Sequence, residues 1–169
     1  MALIIEDGTI VAGANSYVTV AELDSWATLY GITLNAADEA AKEVIILKGA
    51  AYVESFRAEF DGNKVESTQP MQWPRENVTI DGFDFPSNEI PQDLKNAQLQ
   101  AAVETDAGAD LQANQGQTVK REKVDVIEVE YMDGSSSSTS YEKINAYLDA
   151  LLKSSASMGG SILFGQTRG

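Results

Sequence analysis

Most side chains of this sequence that could do acid–base chemistry are carboxylates, and beside them only hydroxyls, Lys and Tyr remain. There are 26 Asp and Glu but no His and no Cys, so an imidazole base, a thiolate nucleophile and the usual zinc ligands are excluded. Neighbouring carboxylates can act as general acid and base or hold a divalent cation. Two groups have suitable spacing, Asp38/Glu39/Glu43 and Glu104/Asp106/Asp110. A solvated helix face explains both more simply, and we predict that the chain is not an enzyme and uses no cofactor or metal.

The densest positive charge lies between positions 119 and 131, where residues alternate as in two paired strands. Six residues of this predicted β-hairpin are candidates for a contact surface: Lys120, Arg121, Lys123, Glu128, Glu130 and Tyr131. Positive side chains beside an aromatic ring could bind single-stranded nucleic acid. The acidic residues of the same segment favour cross-strand ion pairs instead.

A second candidate contact is Trp73-Pro74-Arg75, which lies in a segment rich in turn dipeptides. Exposed Trp and Arg are common at binding hot spots, so these residues could face a partner. Alternatively, Trp73 closes the core from the long loop and Pro74 stiffens the chain there. The sequence leaves both interpretations open.

The third candidate is the apolar triplet Ile162-Leu163-Phe164, which follows a stretch rich in Ser and Gly. Such a tethered triplet suits a peptide that inserts into the groove of a neighbouring subunit or adds a strand to its edge. The alternative is that the triplet packs back on the core of its own chain.

Charge and composition narrow the possible functions further. The chain has 169 residues, with 12 Lys and Arg against 26 Asp and Glu, for a formal net charge of −14. Affinity for nucleic acid depends on Lys and Arg that replace counterions, so tight non-specific DNA binding is disfavoured. No apolar run approaches the roughly 20 residues that span a bilayer, and the start lacks the basic segment of a secretion signal. We expect a soluble chain of intracellular origin without membrane contact.

The elements that position these candidates are predicted to be mainly helical. In chain order they are an extended arm (1–18), a helix between Thr19 and Gly31, a helix at 36–56, a long irregular loop at 61–90, a helix at 91–111, the hairpin at 119–131 and a helix at 141–153. We predict a mainly α fold with a four-helix bundle-like core, an inserted β-hairpin, and extended N- and C-terminal segments. Residues 1–153 would form one domain and residues 154–169 a docking tail.

Several short strings follow one another in order along nearly the whole chain. They are Leu3-Ile4-Ile5-Glu6-Asp7-Gly8, Ala12-Gly13-Ala14-Asn15-Ser16-Tyr17-Val18, Trp73-Pro74-Arg75, Ile90-Pro91 with Leu94-Lys95 and Ala97, and Val119-Lys120-Arg121-Glu122-Lys123-Val124 before Glu128-Val129-Glu130-Tyr131. In succession and spacing they resemble the head–tail connector adaptors of tailed bacteriophages. That group also carries the label of a DnaT-like single-stranded-DNA-binding protein.

The resemblance implies a helical-bundle subunit that forms a ring, usually of twelve copies, beneath the portal of the DNA-filled head. Its partners would be the portal protein, other copies of itself and a downstream tail-side neck or stopper protein, with DNA only passing through the channel. Ile162, Leu163 and Phe164 fall in the segment that would dock on the portal. The loop around Trp73 and the hairpin would be contact or lumen elements. The chain would belong to the virion neck, after assembly in the host cytoplasm.

The net charge agrees with this implied role on separate grounds. An acidic channel lining keeps a DNA duplex sliding instead of binding. The same charge opposes the DnaT-like label taken literally, because binding of single-stranded DNA calls for a basic groove with stacking aromatics. We therefore expect a structural head-to-tail adaptor, with a DnaT-like replication accessory that binds single-stranded DNA as the alternative.

Overall fold

A computed structural model describes residues 2–112, 122–124, 127–129 and 141–153, with the backbone alone at 122–124 and 127–129. The fold is mainly α, as predicted. Its helices are α1 (Val20–Leu29), α2 (Glu39–Glu54), α3 (Gln92–Asp106) and α4 (Glu142–Leu148), with 3₁₀ turns at Ser55–Ala58 and Asp149–Leu151. Its antiparallel pairs are β1 (Asn63–Lys64) with β2 (Arg75–Glu76), β3 (Thr79–Ile80) with β4 (Phe83–Asp84), and β5 (Glu122–Val124) with β6 (Ile127–Val129). Among these ranges, no helix has the length and apolar character to span a membrane.

Helix α1 begins with a capping box, in which Thr19 and Glu22 stand three positions apart in the sequence. The backbone N–H of Glu22 donates to the Thr19 hydroxyl at 3.1 Å, and the N–H of Thr19 donates to the Glu22 carboxylate at 2.7 Å. These two bonds satisfy donors that the first turn otherwise leaves free. Gly31 has a φ of +65°, which allows the chain to leave the helix just after Tyr30.

Helices α2 and α3 form the main helix pair, and small residues let their backbones approach closely. A Cβ added to Gly49 of α2 would lie 2.8 Å from the carbonyl oxygen of Gln98 and 3.0 Å from the backbone nitrogen of Ala102. Ala97, Ala101 and Ala102 of α3 are fully buried. Helix α2 begins at Glu39, after Asp38 as N-cap, and α3 ends at Asp106. Both helices are therefore shorter than the sequence predicts.

The close approach at Gly49 makes a testable prediction. We expect Gly49→Val to lower the free energy of unfolding by about 1–3 kcal/mol, because the added atoms force the two backbones apart. The control Ala40→Val places the same side chain at an exposed position of α2 and carries only the cost of a β-branched residue in a helix, about 0.5 kcal/mol. Urea denaturation monitored by circular dichroism measures the free energy of unfolding of both variants. Equal losses would contradict a tight contact at Gly49.

Helix α4 packs on α3 and closes the core. Its residues Ile144 and Leu148, and Leu151 in the following turn, are fully buried. The backbone N–H of Asp61 donates to the carbonyl of Leu151 at 2.9 Å, so the end of α4 is tied to the start of the long loop. The four predicted helices are thus present. Their assignment to a four-helix bundle stays a prediction.

The N-terminal arm is organised by a buried carboxylate. Glu6 accepts hydrogen bonds from the backbone N–H groups of Gly8 at 2.9 Å, Ile10 at 3.0 Å and Val11 at 2.9 Å. Gly8 has a φ of +106°, and an added Cβ there would lie 2.2 Å from the carbonyl oxygen of Asn88. The arm therefore rests on the segment just before α3.

The long loop contains more regular structure than the sequence predicts. Strands β1 and β2 pair with Lys64 opposite Arg75, and β3 and β4 pair with Ile80 opposite Phe83. Asp81 and Gly82, with φ values of 52° and 83°, form the turn between β3 and β4. Asp-Gly is a strong hairpin signal because both central residues of a primed turn need positive φ. The prediction of an irregular loop, which includes this dipeptide among its turns, is therefore wrong for the strand pair on either side of it.

Candidate functional site

The structure describes only some of the candidate contact residues. Ile162, Leu163 and Phe164 lie outside the described residues, and so do four members of the predicted hairpin, namely Lys120, Arg121, Glu130 and Tyr131. The described parts of that hairpin, β5 and β6, pair antiparallel with Lys123 directly opposite Glu128. The pairing confirms a hairpin at these positions. Its role as a contact or lumen surface stays a prediction.

Trp73, Pro74 and Arg75 lie in the interior, which corrects their interpretation as an exposed partner contact. The Trp73 side chain has no exposed surface. Its ring packs edge-on against Phe60 at 5.9 Å and against Phe85 at 6.1 Å between ring centres. The peptide bond between Trp73 and Pro74 is cis. This geometry matches the alternative interpretation, in which Trp73 packs on the core from the long loop. Burial of the ring is favourable because it removes a large apolar area from water.

Arg75 is also buried, and its guanidinium bonds to the backbone of the loop. Nε donates to the carbonyl of Asp61 at 2.6 Å, and one terminal nitrogen donates to the carbonyl of Gly62 at 2.8 Å. Weaker bonds reach the carbonyls of Phe60 and Gln72, at 3.4 Å and 3.3 Å. The planar guanidinium, with five donors, can satisfy several carbonyls at once. Arg75 therefore holds the start of the loop to strand β2 instead of facing a partner.

A second polar network ties the loop to α2 and to the N-terminal arm. The Tyr17 hydroxyl donates to the Glu54 carboxylate and accepts from the backbone N–H of Trp73 at 3.1 Å. The backbone N–H of Gln72 donates to the same carboxylate at 3.0 Å. Burial raises the pKa of Glu54 above its ordinary value of 4.5, against the opposing effect of these hydrogen bonds. Burial, followed by the nearby Glu54 charge, raises the pKa of Tyr17 well above 10.0.

The raised pKa of Glu54 predicts a pH dependence of stability. The folded state holds the Glu54 proton more tightly than the unfolded state, so stability falls as pH rises from about 4.5 toward the folded-state pKa, and then levels off. We expect Glu54→Gln to remove this part of the pH dependence, because an amide copies the protonated carboxyl. Urea denaturation at several pH values between 4.5 and 7 measures it. Glu59→Gln changes an exposed glutamate and serves as control. If the stability of the Glu54→Gln chain falls with rising pH as that of the wild type does, the prediction is wrong.

The acidic clusters have structural partners. The Asp38 carboxylate accepts from the N–H of Ala41 at 2.8 Å as the N-cap of α2. The Asp106 carboxylate accepts from the N–H groups of Asn35 at 2.6 Å and Ala36 at 2.8 Å. In the described ranges, no three acidic side chains come together as a metal-binding group.

Most positive side chains that the structure describes are bound within the chain. Their partners are Asp24 for Lys42 at 2.6 Å, Glu22 for Lys95 at 3.5 Å, the Gln69 carbonyl for Lys64 at 3.1 Å and the Ala58 carbonyl for Lys153 at 3.1 Å. The exposed Lys48, Arg57 and Lys143 lie on three separate elements. Across residues 2–112 and 141–153, positive charge therefore forms no continuous groove.

An open groove lies between α1, α3 and α4, with a volume of about 730 Å³. Ten residues line it: Trp26, Tyr30, Ile32, Gln100, Val103, Glu104, Ala107, Lys143, Ala146 and Tyr147. The Trp26 ring lies 4.5 Å from the Tyr30 ring and 6.1 Å from the Tyr147 ring, between centres. None of these residues is among the contact candidates that the sequence suggests. The four-residue spacing of Trp26 and Tyr30 indicates one shared face, but only packing shows that the face stays open.

The most exposed large apolar side chain that the structure describes is Phe83. It is 77% exposed and follows the Asp81-Gly82 turn at the end of the β3–β4 hairpin. Leu29 and Tyr30, at the end of α1, are 75% and 56% exposed. Exposed apolar side chains of the described residues thus stand at the β3–β4 hairpin and at the end of α1.

Comparison with known proteins gives one match. A family model described as "Putative DnaT-like ssDNA binding protein" matches residues 1–165. No curated protein and no solved structure matches the chain. Because the family model covers nearly every residue, the chain belongs to this DnaT-like family.

Proposed function

We propose that the chain is a structural adaptor in the neck of a tailed phage. In this role a helical-bundle subunit joins a ring beneath the portal and extends the DNA channel toward the tail; the adaptors that the sequence resembles usually form rings of twelve copies. Its partners are the portal protein, neighbouring copies and a downstream neck or stopper protein, and DNA only passes through. The chain assembles in the host cytoplasm and remains in the virion.

The charge distribution is the observation that carries this proposal. The chain has a net charge of −14, and the cations that the structure describes are mostly bound to the chain's own carboxylates and carbonyls. Such a surface repels phosphates, because few of the Lys and Arg side chains that the structure describes are left to replace counterions. A channel segment needs this property, since DNA must move past it during packaging and ejection.

The proposed link to the portal is the C-terminal triplet of Ile162, Leu163 and Phe164. Full burial of such side chains contributes roughly 1.5–3 kcal/mol each, which can offset the cost of ordering a peptide upon binding. The described fold ends in contacts made by Leu151, Leu152 and Lys153, which join this end of the chain to Phe60 and Asp61 at the start of the long loop and to the neighbouring Glu59.

Deletion of residues 154–169 tests this link. We expect the shortened chain to keep the unfolding free energy of the full chain but to leave heads without tails in an infection that depends on it. Changing Ile162, Leu163 and Phe164 together to Ser should act like the deletion, whereas changing Ser154, Ser155 and Ser157 to Ala should have no effect. Tailed, infectious particles from the deletion would overturn the tail's role. Virions that contain no copy of the chain would overturn the adaptor function itself.

Single-stranded-DNA binding is the second candidate, and the family description supports it more directly than the adaptor role. The residues available for it are Lys120, Arg121 and Lys123, with Tyr131 as a stacking surface. The acidic residues of the same segment and the net charge weigh against it.

A salt titration of oligonucleotide binding separates the two candidates. The adaptor proposal expects no saturable binding at micromolar protein near 150 mM salt. Micromolar affinity with a salt slope of several charges, lost when Lys120, Arg121 and Lys123 are changed to Ala, would establish the second candidate. Changing Lys48 and Arg57 to Ala is the matched control, because both side chains are exposed and lie elsewhere on the fold.

A further inference from the structure

The geometry points to a head-to-tail contact in which Phe83 of one copy inserts into the α1–α3–α4 groove of the next copy. This contact joins neighbouring subunits of the proposed ring. The choice of a second copy as the occupant rests on the proposed function. The two surfaces differ, so the contact is heterologous and repeats from copy to copy. A repeated contact of this kind produces a ring when its rotation closes and a filament when it does not.

The hairpin presents Phe83 on a firm base. The backbone N–H of Phe85 donates to the carbonyl of the buried Val78 at 2.9 Å. The Phe85 ring packs edge-on against the fully buried Trp73. The tight Asp81-Gly82 turn then leaves Phe83 projecting into solvent. A projecting ring that needs little ordering loses less entropy when it binds.

The groove offers apolar, largely aromatic walls with room for such a ring. Trp26, Tyr30 and Tyr147 supply ring faces and edges, and Val103 and Ala107 supply aliphatic surface. Aromatic pairs in edge-to-face contact contribute about 0.5–1.5 kcal/mol beyond the area they bury. None of the hairpin residues 79–84 lines the groove of its own chain, so among the residues described the hairpin that meets this groove has to come from another copy.

Charge complementarity favours this occupant. Asp81 and Asp84, both exposed, flank Phe83 at the end of the hairpin. Lys143 is exposed at the groove, and the structure shows no ion pair for it among the residues described. Glu104 also lines the groove, and its carboxylate already accepts from the Gln100 side chain at 2.9 Å. The acidic end of the hairpin thus complements the positive charge of Lys143, which no described residue pairs, and this complementarity fixes the orientation of the contact.

Cross-linking between single-cysteine variants tests the contact directly, because the natural chain contains no cysteine. Thr79→Cys labels the hairpin and Ala146→Cys labels the groove, both at exposed positions. An equimolar mixture treated with a short thiol-specific cross-linker should give a mixed dimer in at least tenfold higher yield than either variant alone. The control mixture uses Val44→Cys, at an exposed position of α2, with Ala146→Cys. Equal yields in the test and control mixtures over the whole concentration range would overturn the inference.

Two further changes distinguish a specific contact from random collision. Phe83→Ser in the Thr79→Cys chain should reduce the mixed-dimer yield to that of the control, without changing the melting temperature. Asp84→Lys in the Thr79→Cys chain, or Lys143→Asp in the Ala146→Cys chain, should reduce the mixed-dimer yield when introduced singly. The yield should recover when both charge changes are present, one in each chain of the mixture. No recovery would contradict the assigned orientation. Virions that contain the chain but show no hairpin-to-groove cross-link would overturn this inference alone and leave the adaptor function standing.

Discussion

Replacing Trp73 with alanine is expected to lower the free energy of unfolding by about 3–5 kcal/mol. The side chain is fully buried, and its ring packs edge-on between Phe60 and Phe85. Its loss would leave a cavity where the long loop meets the domain core. Because this ring holds its own loop, residues 61–90, on the core, we also expect proteases to cleave the loop more readily in the Trp73→Ala chain.

Urea denaturation monitored by circular dichroism measures the loss of unfolding free energy, and two variants serve as controls. Trp73→Phe keeps part of the ring and should cost less than Trp73→Ala. Phe83→Ala removes an exposed aromatic from the same loop and should change stability by no more than about 0.5 kcal/mol. A Trp73→Ala chain as stable as the Phe83→Ala chain would show that Trp73 is not a core residue.

Replacing Arg75 with methionine is expected to lower the free energy of unfolding by about 2–3 kcal/mol. Methionine can fill part of the apolar space, but it leaves the carbonyls of Asp61 and Gly62 without their donors. A buried polar group left without a partner costs about 1–3 kcal/mol, and these two carbonyls, which are partly buried, fall toward the lower end of that range. The loss should be similar at low and high salt, because the guanidinium bonds to neutral carbonyls and not to carboxylates.

Lysine at position 75 separates the charge from the shape of the side chain. Arg75→Lys keeps the positive charge but supplies a single ammonium in place of a planar fork, so it should recover only part of the lost stability. Arg57→Met is the matched control, because Arg57 is exposed. Full recovery with lysine would show that charge alone accounts for the role of Arg75.

Both predictions rest on the finding that Trp73 and Arg75 are buried, and this finding changes how assembly defects in their variants should be interpreted. If Trp73 and Arg75 hold the loop together, their variants lose stability before they lose any partner. A loss of assembly in such variants would therefore say little about a docking surface. Variants of Phe83, which is exposed, test docking without this complication.

Local signals in the sequence were sufficient to predict much of the secondary structure. The capping pair of Thr19 and Glu22 predicts where α1 begins, and both hydrogen bonds form as expected. Apolar periodicity predicts the other three helices, with errors at their ends, because a helix end depends on which caps the tertiary structure supplies. The end of α3 is an example, since the Asp106 carboxylate bonds to the distant Asn35 and Ala36.

The sequence by itself determined the mainly α character, the acidic surplus and the exclusion of imidazole and thiolate chemistry, because these depend on composition or on neighbours within a few positions. Only the tertiary structure decided that Trp73 and Arg75 are internal, that Glu54 is held beside Tyr17, and that an aromatic groove stays open. These facts depend on contacts between residues far apart in the chain, such as the bond of Trp73 to Tyr17 across 56 positions. A residue type states what a side chain can do, but the packing of distant segments decides whether it meets water, a partner or the core.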